Sequence, residues 1–508
     1  MSYNPDMVIS TLYDQSKNID NQVYIGSKAY YLKKLYSLGY PVPPGFVITT
    51  EVFRRKETIL QNKIMSREID NMIMAQIKKL EKMTGREFGN PLNPLMLSVR
   101  SGTAVSMPGA MNTFLNVGIN EQIIEALSKQ PNYGWTSWDC YRRFLQSWGM
   151  ASGLSRDTFD QIMIDFKTLY KVKQKVQFTP EQMKEISFAY REVLKQNHIQ
   201  IEEEVFPQVR QAILNVFDSW NSDRAIVYRK HLQIADEWGT AVVIQKMVLG
   251  NINYTSGTGV VFTHNPHLNK PGVHLYGDYS LVSQGEDVVG GLVHVLPISR
   301  NQIHVRAKGN SLEENFPQIY KRIYDLACQL TEQHGFGHQE IEFTFESERM
   351  EDFYILQTRD QDVRTKDKTQ QFALSGVKMK LLGQGIGIGG GAMNGILIFD
   401  TEDMEKMRQK FPDKKLILVR PDTVPDDIGI IFGCDGLLTA RGGATSHAAV
   451  TAARLGKICI VNCTDLVVYE REKKCVIKKQ VLNLGDEIAI DGTFGNIYKG
   501  NYPMMQAE

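Results

Sequence analysis

One polar stretch governs how this chain of 508 residues divides. The run Asp362-Val363-Arg364-Thr365-Lys366-Asp367-Lys368-Thr369-Gln370-Gln371 carries one large apolar side chain, so it has nothing with which to join a core. Such a segment reads as an inter-domain connection. It predicts a first domain over residues 1–361, a linker at 362–375, a compact second unit at 376–503 and a tail at 504–508. Neither side contains an internal repeat or a long low-complexity tract.

The two sides differ in texture. Strand signals begin early, with a turn at residues 39–45 followed by Phe46-Val47-Ile48-Thr49. A helix after Ser66 carries Ile69, Met72, Ile73, Ile77 and Leu80 on one face, a spacing that places them in a core. Residues 120–235 are rich in charge and poor in strand signals, which predicts a helical insertion, with Glu202-Glu203-Glu204 on a solvated helix face. Residues 240–300 and 338–358 turn to short β-type runs broken by glycine. Beyond the linker, strands such as Leu416-Ile417-Leu418-Val419 and Ile458-Cys459-Ile460-Val461 alternate with helices, one of them from about Ser446 to Leu455, and a hairpin closes the unit at 488–498. The expected fold class is α/β, with an α+β first part of several subdomains and a smaller α/β unit behind it.

Charge excludes some partners. With 58 Lys+Arg against 57 Asp+Glu the net charge is +1, which offers no global attraction to nucleic acid or to an anionic membrane. No apolar stretch reaches the ~18–20 residues of a spanning helix. The start of the chain has no secretory pattern, and six sparse cysteines fit a reducing, cytoplasmic setting. Cys459 and Cys463 lack a second pair or a nearby His that would complete a metal site, so strand packing explains them.

Three constellations carry chemistry. In Leu438-Thr439-Ala440-Arg441-Gly442-Gly443-Ala444-Thr445-Ser446-His447 a strand ends, two glycines allow a tight turn, and Thr445 or Ser446 caps a helix. His447 then stands in the first helical turn, where the partial positive charge disfavours imidazolium and leaves a neutral nitrogen for nucleophilic attack. Backbone N–H groups there would stabilise a phosphoryl group. The same pattern also describes a capped helix start whose His only hydrogen-bonds nearby. Residues 98–113 set Arg100 among small and hydroxyl residues, either a phosphate cradle or an ordinary surface loop. Glu340 and Glu342 alternate onto one strand face, and Gln357 and Arg359 read as part of a neighbouring strand. Oxygen ligands with an Arg suit Mg²⁺ holding nucleotide phosphates, and a polar solvent face is the other reading. No GxxxxGK[ST] element occurs. Gly385-Ile386-Gly387-Ile388-Gly389-Gly390 leads into a strand, not a helix, and so is no dinucleotide fingerprint.

Taken together with residues 25–28, 138–144, 219–225, 256–263, 284–289 and 355–359, these segments resemble the first two domains of the pyruvate, phosphate dikinase and phosphoenolpyruvate synthase family over about residues 23–500. The resemblance implies an ATP-grasp nucleotide-binding domain followed by a swivelling phosphohistidine domain. It implies that His447 carries the phosphoryl group, supported by Gly443, Thr445 and Ser446. Lys28, Arg100 and Arg359 would hold nucleotide phosphates, and Glu342 and Gln357 would coordinate Mg²⁺. Gln245, Met247 and Val248 would border the adenine, with Glu286 and Asp287 by the ribose and phosphates. Ala444 stands where the family typically has Met, and Glu340 where it usually has Asp, a longer side chain in that acidic set.

The activity implied is that of an ATP-dependent dikinase: the β-phosphate passes to His447, AMP leaves, and inorganic phosphate or water takes the γ-phosphate. The family's acceptor domain is a C-terminal (β/α)8 barrel, which needs roughly 200–250 residues. Ten residues follow Tyr498, so the acceptor is expected outside this chain, as a small molecule or on a separate barrel subunit. A split dikinase, a nucleotide-binding regulator without catalysis, and a truncated gene remain open readings.

Overall fold

The computed structural model describes residues 7–14, 20–107, 109–266, 268, 270–289, 295–302, 311–361, 370–373, 378–423 and 427–506. Of the linker expected at 362–375, residues 362–369, 374 and 375 lie outside this set. The chain forms two compact units, residues 1–256 with 354–359, and residues 257–353 with 360–508.

The first unit is built on strands β1 (Ile9–Thr11), β2 (Gly45–Ile48), β3 (Leu97–Gly102), β4 (Thr113–Val117) and β5 (Ala241–Lys246). They lie in the order β1-β2-β5-β3-β4, paired antiparallel throughout. Side chains alternate across a strand, so Leu97, Val99, Ile244, Phe46 and Ile48 share one face. That face joins a core with Ile69, Ile73, Ile77 and Leu80 of the helix Lys63–Thr84 and with Trp138, Phe144, Trp148 and Phe217 of the helical insertion. The helix begins three residues before Ser66, where the Asn62 side chain accepts from the N–H groups of Ile64 and Met65. It stops at Gly85, whose φ of 64° is the left-handed cap that glycine adopts without strain.

The insertion contains the helices Gly134–Ala151, Arg156–Tyr170, Pro180–Gln196 and Val205–Asp218. Glu202, Glu203 and Glu204 are exposed, but they precede the last of these helices and do not lie on its face, a correction to the sequence reading. The Trp138–Phe144 segment has a structural task. Asp139 is fully buried and accepts from Arg142 Nη2 (2.9 Å), Arg143 Nε (2.9 Å), Lys175 Nζ (3.2 Å) and Asn251 Nδ2 (2.9 Å). Burial alone would raise its pKa, but the charges of Arg143, Lys175 and Arg142 prevail and hold the carboxyl well below its usual range.

In the second unit β6 (Gly257–Phe262), β7 (Tyr276–Leu281), β8 (Leu296–Pro297) and β9 (Gln339–Phe345) lie in the order β9-β6-β7-β8, all antiparallel. Strand β10 (Phe353–Asp360) follows, with residues 354–359 belonging to the first unit. Next come β11 (Gln370–Phe372), β12 (Leu381–Gln384), β13 (Ile386–Ile388), β14 (Ala392–Ile398), β15 (Leu416–Arg420), β16 (Gly436–Thr439) and β17 (Ile458–Val461). The chain ends in β18 (Leu466–Tyr469), β19 (Lys474–Ile477), β20 (Gln480–Asn483), β21 (Glu487–Asp491), β22 (Asn496–Lys499) and β23 (Met504–Gln506).

Eight of these strands form one sheet in the order β12-β22-β21-β14-β15-β16-β17-β13. Its centre, β14 to β17, is parallel, with the helices Thr401–Lys410, Ile428–Gly433 and His447–Arg454 between successive strands. Strict alternation buries both faces. Ile396, Ile398, Leu416, Leu418 and Leu437 meet Ile430, Ile431, Ala448, Ala449 and Ala452 of the helices. Leu397, Phe399, Ile417, Val419 and Leu438 meet Leu466, Cys475, Ile477 and Leu482 of the three-stranded sheet β18-β19-β20. Cys459 belongs to the first cluster and Cys463 to the second. Burial pushes the Cys463 thiol up to about 11 and raises Cys459 as well, so both are inert packing groups. Gly389, Gly390 and Gly391 all have positive φ and turn β13 into β14, the strand expected after the glycine-rich run.

Part of the expected linker and the expected tail are structured. β11 pairs antiparallel with β23, and Phe372 packs with Ala392 and Ala489. The segment lacks a core of its own but borrows one from the sheet beside it.

Candidate functional site

The first unit gathers the sequence-predicted phosphate and adenine residues around β3 and β5. In the pairing register Arg100 faces Val243 and Ser98 faces Gln245, so Arg100 and Gln245 are diagonal neighbours on the face opposite the helical core. Arg100 Nη2 donates to Gln245 Oε1 and, at 3.4 Å, to the carbonyl of Leu356. Gln245 Nε2 donates to Pro43 O at 3.0 Å, which fixes the amide and with it the guanidinium. Met247 and Val248 continue from the end of β5, both buried, with Met247 N–H bonded to Met96 O at 2.8 Å. Arg359 Nη1 lies 3.5 Å from Ser106 Oγ, which ties β10 to the loop after β3. Gln357 is 9% exposed on the same strand.

The backbone before Lys28 meets the end of β3 through a kink. The helix Gln22–Ser37 is broken at Gly26, with φ 76° and ψ 158°, and a Cβ there would collide with the Gly102 carbonyl. Ser27 N–H bonds to Thr103 O at 2.9 Å. Lys28 thus opens the helix beyond the kink, against the end of the strand that carries Arg100.

In the second unit Glu340 and Glu342 stand on β9 opposite Phe262 and Val260 of β6. Glu340 is 7% exposed and Glu342 is half-buried. Glu286 is exposed and Asp287 buried in the short helix Gly285–Val289. Among the described residues no three His, Cys, Asp or Glu side chains form a metal cluster. The donors expected for Mg²⁺, one carboxylate and one amide, are oxygen atoms of the type that ion accepts.

His447 opens the helix His447–Arg454, and Ser446 is its cap, its Oγ accepting from Ala449 N–H at 3.4 Å. The imidazole is 5% exposed, with Nδ1 3.5 Å from Thr423 Oγ1. Gly442 has φ 98° and makes the turn that aims the loop. This places His447 at the C-terminal edge of parallel strands, where α/β sheets bind ligands. Ala444 is buried against the sheet.

Two residues of this loop's surroundings escaped the sequence reading. Thr423 follows β15, outside the His447 motif. Asp278 on β7 is fully buried, and its Oδ2 accepts from Thr445 N–H and Thr445 Oγ1–H, each at 3.3 Å. A Cβ on Gly443 would collide with that carboxylate. The available signal was an Asp inside a β-type run, Tyr276-Gly277-Asp278-Tyr279, where Asp is depleted unless it has a task.

Two family models match the chain. Residues 53–321 match pyruvate phosphate dikinase, AMP/ATP-binding domain, and residues 412–495 match PEP-utilising enzyme, mobile domain. Arg100, Gln245, Met247, Val248, Glu286 and Asp287 fall in the first match and His447 in the second, while Lys28, Glu342, Gln357 and Arg359 fall outside both. Pyruvate, phosphate dikinase of Rickettsia typhi is 34% identical over 514 residues, covering 95% of this chain and 56% of that protein. The Clostridium symbiosum protein of the same name is 33% identical over 518 residues, covering 95% and 57%. The chloroplastic protein of Mesembryanthemum crystallinum is 33% identical over 519 residues, covering 94% and 52%. The chain spans about half the length of these relatives. With more than half of its residues inside the AMP/ATP-binding match, and the loop of His447 inside the mobile-domain match, the chain belongs to the pyruvate phosphate dikinase family.

Proposed function

We propose that this protein is an ATP-dependent, dikinase-type phosphotransferase that phosphorylates its own His447 and passes the phosphoryl group to an acceptor bound outside residues 1–508. The observation that carries the reading is the pairing, in one chain, of an AMP/ATP-binding match with a mobile-domain match whose histidine opens a capped helix at the edge of a parallel sheet.

In this reading Lys28, Arg100 and Arg359 bind the ATP phosphates, with Gln245, Met247 and Val248 beside the adenine and Glu286 and Asp287 by the ribose and phosphates. Glu342 and Gln357 would hold Mg²⁺, which would supply neutralisation of phosphate charge. Thr423 orients the nucleophile. With Nδ1–H donating to Thr423 Oγ1, the lone pair of Nε2 is left for attack on the β-phosphorus, and the bond to the AMP oxygen breaks. The γ-phosphate goes to inorganic phosphate, giving pyrophosphate, with water as the other co-substrate. N–H groups at the start of the helix offset the new charge on His447.

The relatives extend well beyond the matched segment, which favours an acceptor site on a barrel that this chain meets in trans or continues into. Domain limits of 1–361 and 376–503 belong to the same proposal. So does a cytoplasmic setting, in keeping with six free cysteines and, among the described residues, no helix long and apolar enough to cross a membrane.

The test is direct. Incubation with Mg²⁺ and β-labelled ATP is expected to place acid-labile label on the protein, and His447→Ala to abolish it. An unlabelled wild type would overturn the phosphotransferase reading and leave a nucleotide-binding regulator. Pyrophosphate formed only when phosphate is added identifies phosphate as co-substrate.

A further inference from the structure

A pair of histidines in the second unit lies apart from every residue given a role above. His264 follows β6 and His338 precedes β9, and their rings lie 4.8 Å apart between centroids, tilted by 40°. Both segments are bound by one residue, Gln361, directly after β10. Its backbone N–H donates to His338 O at 2.7 Å. Its side chain grips the backbone of His264 from both sides, accepting from His264 N–H at 3.0 Å and donating to His264 O at 2.8 Å. The expected linker begins at the next residue.

The His264 Nδ1 is buried and makes no hydrogen bond among the described residues. His338 is engaged differently, with Nδ1 3.2 Å from Thr263 Oγ1. The charged groups that act on His264 are His338 and, from the segment before β7, His274. The nearest carboxylate of β10, Asp360, is engaged by Gln339 Nε2 at 2.7 Å, and Glu340 lies further along β9.

We propose that His264 is the proton-sensitive pin of a clasp: neutral, it stacks on His338 and holds Gln361, and protonated, it leaves the stack and releases Gln361. The physical argument has two parts. A proton on Nδ1 creates a buried donor with no acceptor among the described residues. It also places a cation against a second and a third imidazole. Burial, then His338 and His274, lower the His264 pKa from the ordinary 6.5. The closed clasp is therefore fully favoured above 6.5 and loses stability as the pH falls below that value. This device goes beyond the phosphotransfer reading, and its test uses no nucleotide.

The test is amide hydrogen exchange on the full chain between about pH 7.5 and about pH 5.5, corrected for intrinsic exchange. Opening coupled to one proton is expected to cost the His264 and Gln361 amides up to about tenfold in protection per pH unit as the pH falls below the ordinary 6.5, levelling off at the lowered pKa of the closed clasp. The Thr263 amide, bonded to Gln339 O in the same sheet, is expected to keep its protection. In His264→Gln the dependence at Gln361 is expected to vanish. Protection independent of pH in the wild type, or an unchanged slope in His264→Gln, overturns the clasp. Should that variant not fold, NMR titration of the wild-type His264 ring decides: a pKa at or above 6.5 sinks the proposal, and a lower one supports it.

Discussion

Two buried carboxylates, one in each unit, bind different kinds of donor. Asp139 lies in a nest of Arg142, Arg143, Lys175 and Asn251, all bonded to it at 2.9–3.2 Å. Asp278 accepts from the backbone and hydroxyl of Thr445, two neutral donors at 3.3 Å, in the loop that carries His447. The first arrangement is costly to open, because a charge left unpaired in the interior is heavily penalised. The second is bound to the loop of His447 by neutral donors, so altering Thr445 strands no partner cation. A charge-rich motif can therefore be scaffold, while the loop of His447 is tied to a buried carboxylate by neutral donors.

Substitutions test this contrast from the largest effect down. Asp139→Ala is expected to destabilise the first unit by about 3–5 kcal/mol, read from the urea midpoint, because three cations lose their partner. A loss under about 1 kcal/mol would erase the distinction between the two carboxylates. Gly443→Ala drives a Cβ into Asp278 and displaces the loop. Labelling of His447 is expected to slow on the order of 100-fold with little change in melting temperature. Normal labelling would show that the loop does not work from this position. Thr445→Val removes one hydroxyl donor and is expected to cost about 1 kcal/mol in stability. Thr423→Val is expected to leave stability within about 1 kcal/mol but to slow phosphorylation of His447, since the ring loses its orienting partner. An unchanged rate would remove Thr423 from the positioning of the ring.

Acid gives a further test of the Asp139 nest. Because its neighbours depress the Asp139 pKa, its stabilisation is fully present above the ordinary value of 3.8 and is lost as the pH falls below it. Acid unfolding of the wild type is expected to steepen below pH 3.8, with the steepening absent in Asp139→Asn. Circular dichroism against pH measures both.

The sequence was most informative where function rests on local backbone. A strand, two glycines, a hydroxyl cap and a histidine are consecutive, so the geometry of His447 follows from short-range rules alone. The same holds for the glycine run that leads into β14 and for the alternation that buries Cys459 and Cys463 on opposite faces. Contacts made by topology were not legible. Asp278 and Thr445 are 167 positions apart, and nothing in either segment names the other. The Trp138–Phe144 run could be matched to a family but not given a task, because Lys175 and Asn251 arrive from other segments. Glu202–Glu204 misled because a charged run suits a helix face and the approach to a helix equally well.

The ribbon of β11 and β23 bears on how this protein is to be cut into working pieces. Phe372 lies under Ala392 and Ala489, Ala373 N–H bonds to Pro503 O at 2.9 Å, and Asn394 exchanges two hydrogen bonds with the backbone of Tyr502. A fragment trimmed to the expected limits of 376 and 503 would expose this apolar seam and invite self-association. One running from Gln370 to Gln506 keeps the seam closed, and is the fragment to express when the region around His447 is wanted alone.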